Sequence, residues 1–479
     1  MTIRTAQPHA LRTLVLIAVG AILWHTSAPI QAADESTKPT FRAGAAKVEI
    51  TPPLGEPVVG GFSPFPATAV HDPLHARCLL LDNGQARIGF VICDNLGIPR
   101  SVYDEARKLI AAETKLPPDN ILMAATHTHS GTRAATDRYA PLLARGIADA
   151  VRAAHDNLQP ARIAWGSVDE PSEVFNRRWY VTDDELLKNP FGGFDKVRMN
   201  PPRGHATLVK PAGPIDPEIS FISVQSTSGR PIALLANYSL HYVGGVSHGE
   251  LSADYFGIFS ERIGELLDAK SDDNFVGMLS NGTSGDINNI NFRERGQRHE
   301  PYEKMTQVAE LVAKRVKEAH ANVEFHDWVP LGSATRELTL KFRKPDAAMQ
   351  EHFAKLLAEP EGEPKFHRYE RNYAERVQRL LDGPDEVTIP LQAARIGNLA
   401  VAAIPFEVFV EIGLQIKQDT PFDDAFTIEL ANDYHGYLPT PQQHELGGYE
   451  TWMGTNRVQL DASDHITKTV LDLMKQLHE

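Results

Sequence analysis

The chain has 479 residues, of which 42% are hydrophobic and 23% charged, as is ordinary for a soluble globular protein. Its 48 Lys and Arg against 62 Asp and Glu give a formal net charge of −14, and no basic run stands out, so nucleic acid is not expected as a partner. Beyond the N-terminal segment, no stretch approaches the roughly 20 apolar residues that a membrane-spanning helix needs.

The N-terminal segment has the pattern of a secretory signal peptide. Arg4 and Arg12 supply positive charge, residues 14–24 form a short apolar core, and a small residue suitable for cleavage follows. We therefore predict a signal peptide over residues 1–32 and a single catalytic-type domain over residues 33–479. The protein is expected to be exported, to the periplasm or outside the cell, with no transmembrane helix after cleavage.

The remaining chain alternates between strand-like and helix-like segments. Apolar runs predict strands, and apolar positions with a period near 3.6 predict helices. The predicted strands are residues 46–51, a hairpin over 76–93, 121–125, 162–168, 221–225 with 232–239, and a hairpin over 388–404. The predicted helices are 101–114 with Ser101 as N-cap, 139–157, 254–267, 302–321, 347–357, 369–381 and 463–477. This alternation predicts an α/β (mixed α+β) fold of layered β-sheets flanked by helices.

Two other segments carry specific expectations. Residues 176–216 are rich in Pro, Gly and Arg and show little periodicity, which favours a functional loop or lid. The two cysteines, Cys78 and Cys93, lie in the first hairpin, whose predicted turn is Asn83-Gly84. That turn would leave the sulfurs about 13 Å apart, so no disulfide is expected.

The most informative stretch is residues 121–131, where an apolar run ends in His127, His129 and Ser130-Gly131. On an extended backbone, side chains two residues apart point to the same face. Both imidazoles could then bind a metal, or one could bind it while the other handles a proton. Two surface histidines in a polar loop are the simpler alternative.

Four further apolar runs also end in polar groups. They are residues 232–241, ending in His241; 275–279, followed by a Gly-Asp loop to residue 291; 399–407, ending in Glu407; and 426–437, ending in Tyr437. Because ligands gather at the carboxyl ends of strands in sheets flanked by helices, the five ends could meet at one site. His127, His241 and Glu407 then form a two-histidine, one-carboxylate set of the kind that zinc takes. Each has a structural alternative, such as a hydrogen-bonded histidine or a helix cap.

The order of these motifs resembles the N-terminal catalytic domain of the neutral/alkaline (non-lysosomal) ceramidase family. The resemblance starts at Ala43-Gly-Ala-Ala-Lys-Val-Glu-Ile-Thr-Pro-Pro53, is most specific at Ala125-Thr-His-Thr-His-Ser-Gly131, and runs to about Asp461. It implies hydrolysis of the amide of N-acyl sphingoid lipids with one zinc ion, Zn²⁺. By resemblance, the zinc ligands would be His127, His241, Glu407 and Tyr437. His129, Arg177 and Tyr449 would line the site, orienting substrate or stabilising the oxyanion.

Two features depart from the family. Asn288 occupies the position of the family's catalytic serine; it cannot be a nucleophile, but it could hydrogen-bond a carbonyl or a developing oxyanion. The family's C-terminal β-sandwich domain is not expected here. The leading hypothesis is an exported zinc-dependent hydrolase acting on the amide of a small-molecule or lipid substrate. The alternatives are a metal-dependent esterase or deacylase for another acyl substrate, such as an N-acyl sugar, and a lipid- or glycan-binding protein without turnover.

Overall fold

The fold is described from a computed structural model over residues 39–61, 63–134, 136–269, 274–360 and 362–479. The predicted signal peptide lies outside these residues. The helices are α1 Arg100–Thr114, α2 Ala140–Asp156, α3 Asp254–Leu266, α4 Glu303–His320, α5 Ala347–Ala358, α6 Glu370–Asp382, α7 Val410–Asp419, α8 Pro441–Leu446 and α9 Ala462–His478. None of these described helices is long and apolar enough to cross a membrane.

The strands range from two to eleven residues in length. They are β1 Arg42–Glu49, β2 Pro57–Val58, β3 Phe65–Pro66, β4 Ala69–Val70, β5 His75–Asp82, β6 Arg87–Cys93, β7 Ile121–Ala125, β8 Gln159–Asp169, β9 Phe175–Asn176, β10 Arg178–Val181, β11 Val197–Met199, β12 Leu208–Pro211, β13 Glu218–Ser226, β14 Pro231–Tyr238, β15 Glu250–Leu251, β16 Val276–Asn281, β17 Ile287–Asn288, β18 Leu331–Lys341, β19 Glu386–Ile396, β20 Leu399–Ile404, β21 Glu407–Val408, β22 Asp424–Glu429 and β23 Tyr437–Leu438.

Two sheets packed face to face form the centre of the fold. The first has the order β16-β14-β13-β8-β1-β5-β6-β7 and the second the order β18-β19-β20-β22. Alternating side chains of β5 explain the layering: Leu79 and Leu81 pack between the sheets, whereas Cys78 and Leu80 pack toward α1 and α2. Helices α3 and α4 cover another part of the first sheet, and α7 and α9 cover the outer face of the second. The predicted layered fold class is confirmed.

The sheets bring several strand ends to one place. Strands β6 and β7, β14 and β16, and β20 and β22 are parallel pairs. The two edge strands of the first sheet approach each other, since the Asn281 amide donates to the Thr126 carbonyl at 3.4 Å. The Asn237 amide donates to the Thr427 carbonyl at 3.1 Å and so joins the first sheet to the second. The carboxyl ends of strands from both sheets therefore converge.

The first hairpin has a longer turn than predicted. Asp82 faces Arg87 instead of Gln85, because the Asn83 side chain accepts hydrogen bonds from the Gln85 and Ala86 amides and closes a four-residue loop. The predicted register was therefore wrong. Cys78 faces Val91 and Cys93 faces Ala76, so the cysteines are two residues out of register rather than four, and both are free and buried.

Two local predictions also need correction, and one strand was not predicted. Helix α1 begins at Arg100 with Pro99 in the N-cap position, so Ser101 is not the cap. Strand β18, which pairs along its whole length with β19, was not predicted. Residues 176–216 are not without regular structure: they contain β9 and the three-stranded sheet β11-β10-β12.

Candidate metal centre

Three predicted ligands meet where strands of the two sheets end. The Nε2 atom of His127, after β7, lies 3.4 Å from Oε2 of Glu407, after β20. The same carboxylate oxygen lies 3.8 Å from Nε2 of His241, after β14. All three side chains are buried. Convergence of strand ends, which was expected from the sequence, thus places two imidazoles and one carboxylate within reach of a single ion.

His127 reaches this place through a change in backbone direction. Its φ of 71° lies in the left-handed region, so the strand ends before it and the alternation expected for an extended backbone does not apply. The His127 amide donates to the Asn95 carbonyl at 2.9 Å, which fixes the turn. His127 and His129 still face one another, with their Nε2 atoms 3.2 Å apart. The predicted outcome is therefore right, and the predicted reason is wrong.

Backbone carbonyls orient both ligand histidines. Nδ1 of His127 lies 2.6 Å from the Leu96 carbonyl, and Nδ1 of His241 lies 3.0 Å from the Ser284 carbonyl. A carbonyl only accepts hydrogen bonds, so each Nδ1 carries the proton and each Nε2 presents a lone pair to the centre. Burial, followed by the charge of Arg177, holds the pKa of His241 well below its usual value, so this ring stays neutral.

Glu407 supplies the negative charge of the centre. Burial alone would raise its pKa, but the interaction with His127 and the hydrogen bonds from Tyr434 and Tyr437 outweigh burial and lower the pKa to about 2. Oε1 accepts a 2.6 Å hydrogen bond from the Tyr434 hydroxyl. Tyr434 was missed by the sequence analysis, although it stands three residues before Tyr437 in the same strand-end motif.

The donor set has the chemistry that a metal ion would need. Within the described part of the chain, Nε2 of His241 and Oε2 of Glu407 are buried and have no hydrogen-bond partner. A buried acceptor without a partner costs roughly 1–3 kcal/mol. Two such acceptors that face the same space, together with His127 Nε2, are what a divalent cation would satisfy.

His129 is a further donor at this centre. The ring nitrogens of His127, His129 and His241 lie within 4.8 Å of one another. The His129 ring stacks on Tyr242 with centroids 3.6 Å apart, and burial and the neighbouring His127 hold its pKa well below the usual value. His129 is therefore neutral and offers its Nε2 either to an ion or to a proton.

Arg177 is fixed beside the centre by a buried ion-pair network. Its Nε donates to Glu450 at 3.0 Å, and its Nη2 donates to the Gly285 carbonyl at 2.6 Å and to the Tyr437 hydroxyl at 3.1 Å. Arg178 binds the other oxygen of Glu450 at 2.8 Å. Glu450 and Arg178 were not predicted from the sequence, where their signal was adjacency to Tyr449 and Arg177.

The two predicted tyrosines lie together at the centre. Tyr437 and Tyr449 contact edge to face, with ring centroids 5.8 Å apart. Burial, followed by the charge of Glu407, raises the pKa of both hydroxyls, so both are hydrogen-bond donors at neutral pH. Tyr437 is near enough to Glu407 to hydrogen-bond with it. Its role as a metal ligand stays a prediction.

Asn288 lies apart from the other predicted residues. Its Nδ2 donates to Asn200 at 2.8 Å, and its Oδ1 accepts from the Ile290 amide at 2.9 Å. In the described structure, Asn288 is not among the residues that line the cavity at the centre, whereas Asn200 is. Contact with substrate is therefore not part of this arrangement, and a catalytic role for Asn288 stays a prediction.

A second buried carboxyl group supports the centre from behind. Oε1 of Glu429 accepts from the Ser284 hydroxyl at 2.7 Å, and Oε2 accepts from the Val408 amide at 2.6 Å. The same Ser284 holds His241 through its carbonyl. Glu429 was missed, although a glutamate at the end of the apolar run of residues 425–428 was a visible signal.

A cavity of about 690 Å³ opens in front of the centre. His127, His129, Arg177, Glu407 and Tyr449 all line it. Apolar and aromatic side chains form other parts of its wall: Leu186, Val197, Met199, Phe342, Leu380 and Trp452. The volume is in the range of small-molecule sites, about 300–1,000 Å³.

Two solved structures share this fold. The crystal structure of neutral ceramidase from Pseudomonas aeruginosa matches with a TM-score of 0.66 and 18% identity, over 91% of this chain and 74% of that chain. A structure described as ceramidase complexed with C2 matches with a TM-score of 0.68 and 17% identity, over 92% of this chain and 75% of that one. The chain thus has the fold of the neutral ceramidases, and the resemblance seen in the sequence is confirmed at that level. No protein-family model matches the chain, and no curated protein is similar enough in sequence to count as a match.

Proposed function

We propose that this protein is an exported, zinc-dependent hydrolase that cleaves the amide bond of an N-acyl compound. The observation that carries the proposal is the pair of buried acceptors without a hydrogen-bond partner, Nε2 of His241 and Oε2 of Glu407, beside Nε2 of His127. The fold shared with a solved neutral ceramidase favours an amide as the bond cleaved.

His127, His241 and Glu407 would hold the ion, with Tyr437 or His129 as a fourth ligand. When bound, zinc supplies a water molecule that ionises near neutral pH and acts as the nucleophile. The carbonyls of Leu96 and Ser284 keep the two histidine rings in the tautomer that binding requires.

The residues around these ligands would act on the substrate. Tyr449 lines the cavity as a protonated phenol and can donate a hydrogen bond to the scissile carbonyl oxygen. Arg177 keeps a fixed positive charge beside Tyr437, which favours negative charge developing nearby. His129 Nε2 can take a proton and deliver it to the leaving amine, because its ring is neutral and faces the cavity.

Metal content tests the centre directly. Wild type, His127→Ala and His241→Ala are purified and analysed for bound metal, with His155→Ala on the exposed side of α2 as the matched control. We expect about one zinc per chain in wild type and in the control, and loss in both site variants. A wild-type protein that holds no metal after zinc reconstitution would contradict the proposal.

Turnover tests the reaction. Ceramide, simple N-acyl amides, an N-acetyl sugar and short acyl esters are offered to the zinc-loaded protein and to His241→Ala. Amide cleavage that disappears in a folded His241→Ala variant supports the proposal, and undiminished cleavage in that variant refutes it. Cleavage of esters or N-acetyl sugars alone would favour the alternative hydrolases, and bound zinc without any turnover would favour a binding protein. An N-terminus near Ala33 in the exported protein would support export.

A further inference from the structure

The cavity in front of the metal centre has the opposite charge to the protein as a whole. The chain carries a formal net charge of −14. Among the residues that the structure describes, two carboxylates line the cavity, Asp195 and Glu407. Eight cationic side chains line it: Arg133, Arg177, Lys188, Arg198, Arg368, Arg376, Arg379 and Arg457. An excess of one sign in a cleft with low-dielectric walls attracts ligands of the other sign.

Few of these positive charges are neutralised by the protein. Arg177 pairs with Glu450, and Lys188 pairs with the exposed Glu185 at 2.7 Å. Over the described residues, five cavity arginines form no ion pair with a carboxylate: Arg133, Arg198, Arg368, Arg379 and Arg457. Asp195 forms no ion pair with these five arginines; its carboxylate accepts hydrogen bonds from Asn189 at 3.0 Å and Trp452 at 2.7 Å.

Arg198 and Arg368 form the most informative pair. Arg198 projects from β11 and Arg368 from the turn before α6, and both line the cavity. Nε of Arg198 is buried and has no hydrogen-bond partner among the described residues. Burial, followed by the charge of Arg368, lowers the pKa of Arg198, as expected for two cationic groups near each other.

We propose that the substrate is an anionic amphiphile, an N-acyl compound whose amine portion carries a carboxylate or sulfonate group, and that Arg198 and Arg368 bind this group. Guanidinium groups match such anions through paired, charge-assisted hydrogen bonds. The apolar wall of Leu186, Val197 and Met199 would take the acyl chain. The inference rests on the proposed hydrolase for the reaction, but the binding of the anion can be tested without it.

Three conjugates of one acyl chain separate the possibilities: N-dodecanoyl-glycine with a carboxylate, N-dodecanoyl-taurine with a sulfonate, and uncharged N-dodecanoyl-ethanolamine. Dissociation constants are measured on chelator-treated full-length protein, where neither turnover nor binding of the anion to zinc contributes. Values of kcat/KM are then measured on zinc-loaded protein. Three variants are compared with wild type. They are the double variant Arg198→Gln/Arg368→Gln, the single variant Arg198→Lys and, as a control on the exposed face of α2, Arg152→Gln.

We expect wild type to bind at least one anionic conjugate about tenfold more tightly than the ethanolamide, as one or two charge-assisted hydrogen bonds provide. The double variant should lose this preference, whereas Arg198→Lys should retain part of it and Arg152→Gln all of it. The preference should weaken with added salt. Whether glycine or taurine is preferred identifies the anion.

Failure of this inference is distinguishable from failure of the proposed function. Equal binding and cleavage of all three conjugates would overturn the anionic substrate and leave the hydrolase standing. Anion-selective binding that depends on Arg198 and Arg368, without any hydrolysis, would support the anion site and count against the hydrolase. A preference that persists in the double variant would overturn the assignment of the two arginines.

Discussion

Replacement of Glu450 by glutamine tests the network that holds Arg177 at the centre. Glu450 is fully buried and bridges two guanidinium groups, with contacts of 3.0 Å to Arg177 and 2.8 Å to Arg178. Glu450→Gln removes the carboxylate charge that pairs directly with both buried cations. Removing one partner of a buried ion pair costs about 3–5 kcal/mol, because the remaining charge has lost its counter-charge without regaining water.

The corresponding change in melting temperature follows from the size of the domain. An unfolding entropy of about 2.1 cal/mol/K per residue over about 440 residues gives roughly 0.9 kcal/mol/K at the midpoint. A loss of 3–5 kcal/mol thus lowers the melting temperature by about 3–5 °C. Differential scanning calorimetry measures this, with Glu445→Gln as the control, because Glu445 is exposed on the nearby helix α8.

The control should stay within about 0.5 kcal/mol of wild type, as surface substitutions usually do. If Glu450→Gln melted within one degree of wild type, Arg177 and Arg178 would not depend on this carboxylate. The assignment of Glu450 as the residue that positions Arg177 would then be wrong.

Three further changes probe the surroundings of Glu407. Tyr434→Phe removes the hydrogen bond to Oε1 and should weaken zinc affinity at least about tenfold in a chelator competition assay, whereas Tyr180→Phe should not. In chelator-treated protein, the lowered pKa of Glu407 stabilises the fold by about 3 kcal/mol above pH 4.5. This stabilisation is lost as the pH falls toward 2. The urea midpoint of Glu407→Gln should therefore vary less than the urea midpoint of wild type over this pH range. Gly285→Ala would place a Cβ atom 2.6 Å from the Glu407 carbonyl oxygen, so loss of both zinc and stability is expected, and a variant with normal zinc content would contradict this close packing.

The sequence predicted the scaffold of the centre well, for a physical reason. Strands β7, β14 and β20 are buried on both faces, so they appear as mainly apolar runs, and each run is followed within three residues by a predicted ligand. Those residues, His127, His241 and Glu407, are brought together as predicted. Local sequence patterns were sufficient to predict that these residues meet, because parallel strands that pack in layers place their carboxyl ends along a shared edge.

The residues that orient the ligands could not be predicted in the same way. Glu450 contacts Arg177 across 273 positions of the chain, and the Leu96 carbonyl contacts His127 across 31. Every residue has a backbone carbonyl, so the residue type does not indicate which carbonyl will bind a histidine. The prediction of the turn at Asn83 was wrong for a related reason. The Asn83 side chain accepts hydrogen bonds from two backbone amides and so stabilises a longer loop than the Asn-Gly pair suggests.

The candidate metal centre and the cavity in front of it depend on different parts of this fold. The ligands follow strands of the two packed sheets, where the core fixes them, whereas Arg198 lies on a short strand of the 176–216 segment and Arg368 lies in the turn before α6. Asn288 hydrogen-bonds Asn200, which lies in the same 176–216 segment as Arg198 and lines the cavity. Metal binding and substrate choice should then respond to separate sets of substitutions in this chain.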